Sequence, residues 1–234
     1  MPPAALEAAP AGGWLRGPAA ARSIPFALYI VFLALAPLIE KALPGWNVRW
    51  LYAVQIAAVS AALTFFAQGY VELFTPAAVR TRDWLLSAGI GIAVFAAWIH
   101  LDLPWAVLGE AKGFVPLRAD GALDWALVAV RLLGAAAVVP VMEELFWRSF
   151  VLRWVDRGDF LRLAPAAASL RALLISSLLF GLEHELWFAG LLAGLAYGWL
   201  YRRSGSLWPP IIAHAITNLL LGLWVVQSGS WRFW

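Results

Sequence analysis

No cysteine occurs anywhere in the 234 residues. That excludes disulfides, thiolate metal sites and a cysteine nucleophile together. Charge is scarce too: Asp, Glu, Lys and Arg make up 13% of the chain, against roughly a quarter in a soluble domain. Histidine occurs only three times, so each one can be weighed individually. What the chain has in excess is apolar: 63% of residues are hydrophobic, gathered in runs of membrane-spanning length rather than short alternating segments. So little polar surface cannot keep such a chain in water. The net charge of +3 comes from basic residues scattered between apolar runs, not from a stripe or block, which argues against a nucleic-acid partner.

The expected fold is all-α, a polytopic transmembrane bundle of about seven to eight helices. Candidate spans are 24–43, 48–70, 84–101, 122–155, 169–185, 187–201 and 207–226, with an eighth if residues 104–118 dip into the bilayer. Residues 1–22, rich in Ala, Pro and Gly, read as a flexible tail, and 23–234 as a single transmembrane domain whose motif-bearing core lies at about 122–226. The tail has no basic start followed by an apolar stretch and cleavage site, so it does not read as a signal peptide. Alternate connections carry the positive charge: Arg16 and Arg22, then Arg80 and Arg82, then Arg153, Arg157, Arg162 and Arg171, then Arg202 and Arg203. Those connections are expected in the cytoplasm, with the N-terminus inside. The intervening ones, with Asp102, Glu110, Lys112, Arg118, Asp120 and Asp124, then Glu183 and Glu185, are expected outside. Gly190, Gly194 and Gly198 fall on one helix face and predict close approach of a neighbouring backbone.

Ionisable residues inside apolar spans are costly, and three clusters stand out. In Glu143-Glu144-Leu145-Phe146-Trp147-Arg148, the four-residue spacing of Glu144 and Arg148 suits an ion pair on one helix face. Glu143 points about 100° away and stays free for other work. The second cluster is Phe180-Gly181-Leu182-Glu183-His184. In the third, His214 and Asn218 share a face at four-residue spacing. Each cluster has a plainer reading, as interfacial acids or as hydrogen-bonded packing histidines. His100, beside Asp102 at the end of a span, reads as interfacial. Counting back from the interfaces at 1.5 Å per residue allows Glu143, His184 and His214 to reach one level of the bilayer.

Familiar protease signatures are missing. His184-Glu185 is followed by Phe188 where a zincin needs its second histidine, and there is no Gly-x-Ser-x-Gly elbow. The three clusters in order, Glu143-Glu144-x-x-x-Arg148, Phe180-x-x-x-His184 and His214-x-x-x-Asn218, resemble the motifs of the CAAX protease and bacteriocin-processing family, also called the ABI family. Gly205-Ser206-Leu207-Trp208 before the third motif strengthens the likeness, which covers about 130–226. One departure is Trp147-Arg148-Ser149, where many bacterial members read Phe-Arg-Gly; an effect on packing rather than chemistry is expected. The chain also looks like the exosortase-associated CAAX prenyl protease-related branch.

The resemblance implies an intramembrane endopeptidase. Glu143, aided by His184, would activate a water, His214 and Asn218 would donate hydrogen bonds to the oxyanion, and Glu144 with Arg148 would fix the helix. A metal-free mechanism without cofactor is favoured because Asn218 is a poor zinc ligand; the zinc alternative would use Glu143, His184 and His214. The implied partners are the lipid bilayer and a membrane-anchored protein or peptide substrate, in a bacterial inner membrane. Rival readings are a non-catalytic scaffold or immunity-type protein and a transporter; no inverted repeat supports the latter.

Overall fold

The computed structural model describes residues 17–74, 78–109 and 113–234. Arg16, Glu110 and Lys112, three of the charges used above to orient the chain, lie outside these residues. The described chain is helical, with no strand and one isolated antiparallel bridge between Leu117 and Leu123. Its helices are α1 Pro18–Ala42, α2 Leu51–Phe65, the short α3 Val71–Phe74, α4 Thr81–His100, α5 Trp125–Trp154, α6 Leu170–Leu182, α7 Trp187–Ser204 and α8 Trp208–Ser228. Five of them, counting α2 from Val48, are long and apolar enough to cross a membrane; α6, with 13 residues, and α7 are not among them. Of the segment 104–118, the described residues form no spanning helix, only a turn at Pro104–Ala106 and irregular chain from Gly113.

Local chemistry explains the helix ends. Pro18 opens α1 at a position where its missing N–H costs nothing. Asp124 caps α5 by accepting from the amides of Ala126 and Leu127, and Ser169 caps α6 through Ala172 N–H. Gly205 and Gly229 close α7 and α8 at φ of +70°, a left-handed conformation that favours glycine. Within α5, Gly134–Val138 and Leu145–Val151 are wide π turns. The first ends two residues before Pro140, whose ring and missing N–H disturb the ladder one turn back.

The glycine face behaves as the spacing predicts. A Cβ on Gly190 would meet Gly181 Cα at 3.0 Å, and one on Gly194 would meet Ser177 Cα at 2.8 Å, so α6 and α7 touch backbone to backbone. Replacing Gly194 by Val is expected to destabilise the bundle by about 1–3 kcal/mol through overpacking. Gly89→Ala, where a Cβ meets nothing within 4 Å, should be neutral or slightly stabilising. Thermal unfolding of the two variants side by side checks this, and equal shifts would refute the close packing.

The tail boundary needs correction, because the helix begins at Pro18, inside the segment expected as tail. Two of the arginines used above to orient the chain, Arg22 and Arg153, have buried side chains. Arg22 donates to Ser149 Oγ at 2.7 Å and to both carboxylate oxygens of Glu72 at 2.7 Å. Arg153 donates to the same hydroxyl at 2.8 Å, and Ser149 in turn donates to Glu72. Ser149 thus accepts twice and donates once, the full capacity of a hydroxyl. The departure at Ser149 therefore joins α1 and α3 to the motif-bearing half of α5.

Burial pushes the Glu72 carboxyl up, but the bonds from Arg22 and Ser149 outweigh it and hold its pKa below the ordinary value. A depressed carboxylate contributes stability above its unfolded pKa, about 4.3, and that stability is lost as pH falls through the lower folded value. Wild-type protein should therefore lose more thermal stability than Glu72→Gln on acidification from about pH 6 to about pH 3. Parallel losses would mean that the network contributes nothing.

Candidate active site

Each of the three sequence clusters reaches one cavity of about 180 Å³ by a different helix, and Glu143, His184, His214 and Asn218 all line it. Glu143 and Glu144 sit on α5 between the two wide turns, His184 just past the end of α6, and His214 and Asn218 one turn apart on α8. The aromatic walls of the cavity include Trp98, Phe180 and Tyr197. His100, the remaining histidine, is exposed, bonds to Ala96 O through Nδ1 at 2.7 Å, and is not among the residues that line the cavity.

Glu144 and Arg148 make the expected contact, 3.0 Å between Oε1 and Nη1, with both side chains buried. Arg148 also lies over the rings of Phe180, at 4.3 Å, and Tyr197, at 5.3 Å. Its charge is thereby shared between a carboxylate and two aromatic faces. The same Oε1 of Glu144 lies 3.0 Å from His214 Nδ1. A carboxylate paired with arginine only accepts, so Nδ1 carries the hydrogen and, in the neutral ring, His214 Nε2 is a bare lone pair. His184 is set the same way: its Nδ1 is 2.7 Å from Phe180 O, an acceptor, which leaves its Nε2 bare.

These tautomers change one expected role. Neutral His214 has a single N–H, and that N–H is spent on Glu144, so the ring face toward Glu143 accepts rather than donates. Nε2 of His214 and Oε2 of Glu143 are 3.9 Å apart, too far for a direct hydrogen bond and suited to one bridging water. Glu143 Oε2 is buried with no hydrogen-bond partner among the described residues. Asn218 donates one Nδ2 hydrogen to Ala135 O at 2.8 Å, inside the first wide turn, and keeps its second.

Several contributors escaped the sequence reading. Tyr197 stacks on His214 with ring centres 5.1 Å apart and donates to Thr217 at 2.7 Å, and Thr217 donates to Gly91 O at 2.9 Å. Glu183, read as an acid of an outer connection, accepts from Trp147 Nε1 at 3.0 Å and ties the first motif to the second. The sequence signal for Thr217 was present, three residues after His214; Tyr197 is one aromatic among many and carried none. Among the described residues, no three of His, Asp and Glu are grouped to hold a metal ion. The donor types suit zinc, but among the described residues their spacing does not form a ligand set.

Residues 125–220 match the family model described as Rce1-like, type II CAAX prenyl endopeptidase Rce1-like. This part of the chain is Rce1-like. The match contains all three motifs, with Glu143, Glu144, Arg148, His184, His214 and Asn218. It stops at the family and does not single out the exosortase-associated branch. No curated protein matches the chain, and no solved structure does. With five helices of spanning character the chain is an integral membrane protein, and its residues 125–220 are similar to a family of CAAX prenyl endopeptidases.

Proposed function

We propose that the protein is an intramembrane endopeptidase that cleaves a membrane-anchored protein or peptide with a water activated by Glu143. The observation that carries this reading is the gap between Glu143 Oε2 and His214 Nε2. Two buried acceptors 3.9 Å apart, with no protein donor between them, suit one water that donates a hydrogen to each. Such a water presents its lone pair outward for attack on a carbonyl. Glu143 takes its proton as the tetrahedral intermediate forms and returns it to the leaving nitrogen, so no other proton source is needed. The free hydrogen of Asn218 is placed to stabilise the oxyanion. His184 Nε2 is a further acceptor on the wall and limits how the water can turn. Glu144 and Arg148 act indirectly by holding the His214 tautomer.

One observation favours a second reading. Zinc-ligating histidines characteristically give their other ring N–H to a carboxylate or a backbone carbonyl, the arrangement of His214 and His184 here. Cleavage of a membrane-anchored reporter by purified protein in bilayer nanodiscs, with and without a chelator, separates the two. Undiminished cleavage with chelator supports the glutamate mechanism; loss that zinc restores would replace it. The N-terminus is proposed to face the cytoplasm of a bacterial inner membrane, which protease protection of tagged termini would test.

A further inference from the structure

Arg131 plays no part in the chemistry above, yet its side chain lines the same cavity as Glu143. It is the only charged residue of α5 between Trp125 and Met142. An ionisable group in such an apolar stretch is expensive and ordinarily paired. Among the described residues no carboxylate pairs with it. Asp124, the nearest acid in sequence, is occupied by capping the helix. The guanidinium instead lies over the rings of Tyr52, at 4.4 Å, and Phe114, at 5.2 Å. Those faces lower its cost and hold it in place without neutralising it.

Two donors there lack partners. Arg131 Nε and Tyr52 Oη are both buried without a hydrogen bond. Gly134 leaves room for that hydroxyl, since a Cβ there would come within 2.5 Å of Tyr52 Oη. A cation and a phenol, both unsatisfied and both on the cavity wall, form a site that an anion completes. In a regular helix, residues twelve apart point about 120° from each other. The wide turn Gly134–Val138 lies between Arg131 and Glu143 and slows that rotation, which lets both reach one cavity.

We infer that Arg131 and Tyr52 form an anionic subsite that takes a carboxylate of the peptide substrate. This deepens the peptidase reading and rests on it for the word substrate. Twelve residues of helix separate Arg131 from Glu143 by about 18 Å. After both side chains reach inward, an extended peptide of about three to five residues covers what remains. The carboxylate therefore lies three to five residues from the cleaved bond, either at the chain terminus or on an acidic side chain.

The test uses the full-length protein in nanodiscs of uncharged lipid and three N-acetylated pentapeptides of alanine and leucine. One ends in a free carboxylate, one in an amide, and one in an amide with a terminal glutamate side chain. Binding is followed by quenching of tryptophan fluorescence, to which Trp98 and Trp234 on the cavity wall contribute. Wild type is expected to bind at least one acidic peptide tenfold or more tightly than the neutral one, and which acid wins identifies the carboxylate's source. In Arg131→Gln that preference should vanish while affinity for the neutral peptide stays, which also shows the variant is folded; Arg131→Lys should keep part of it. Equal binding of all three by wild type, a preference that survives Arg131→Gln, or no binding of any peptide overturns the subsite. Acid preference without cleavage of any reporter would sink the peptidase reading alone, and cleavage without acid preference would sink the subsite alone.

Discussion

Glu143→Gln is expected to lower kcat by two to four orders of magnitude while leaving the thermal unfolding temperature unchanged or raised. The size follows from its assignment as general base, a role that contributes about 10²–10⁴ in rate. Glutamine keeps the shape and can still hold a water, but it cannot take the proton. The fold should tolerate the change because Glu143 is outside the ion pair and its Oε2 has no hydrogen bond to lose. Removing a buried carboxylate also removes a desolvation cost. Single-turnover cleavage of a membrane-anchored reporter, read beside circular dichroism melting, tests both halves. Cleavage within tenfold of wild type would exclude Glu143 as the base.

Arg148→Met should do the opposite and strike folding first. The substitution leaves the Glu144 carboxylate buried with its cation gone, and breaking a buried pair in this way costs about 3–5 kcal/mol. Adding Glu144→Leu removes the stranded charge, so the double variant should recover much of the stability. It should not recover cleavage, since His214 Nδ1 then has no carboxylate to hold its tautomer. Yield, melting temperature and turnover of wild type, Arg148→Met, Glu144→Leu and the double variant form a double-mutant cycle. A double variant that is both stable and active would show that Glu144 does not position His214.

The helical class and membrane character of this protein were determined by composition and run length alone, because hydrocarbon admits few other ways of satisfying a backbone. The Glu144–Arg148 pair and the glycine face of α7 were likewise legible, since both depend on spacing within one helix. The four expected catalytic residues were named by pattern and resemblance, but that they share a cavity was not readable from any one segment. Helix depth along the membrane only permitted it.

What the tertiary structure decided was direction. The His214 and His184 tautomers follow from partners 70 residues away in one case and four residues away in the other, and only the first needed the fold. The end of the tail moved to Pro18 because Arg22 finds Glu72 and Ser149, residues 50 and 127 positions distant. Arg131 was not singled out in the sequence; the fold, with the wide turn of α5, places it in the same cavity as Glu143. A helical period predicts which residues share a face. It cannot predict where a proline-driven wide turn resets that face, nor which neighbour will meet it.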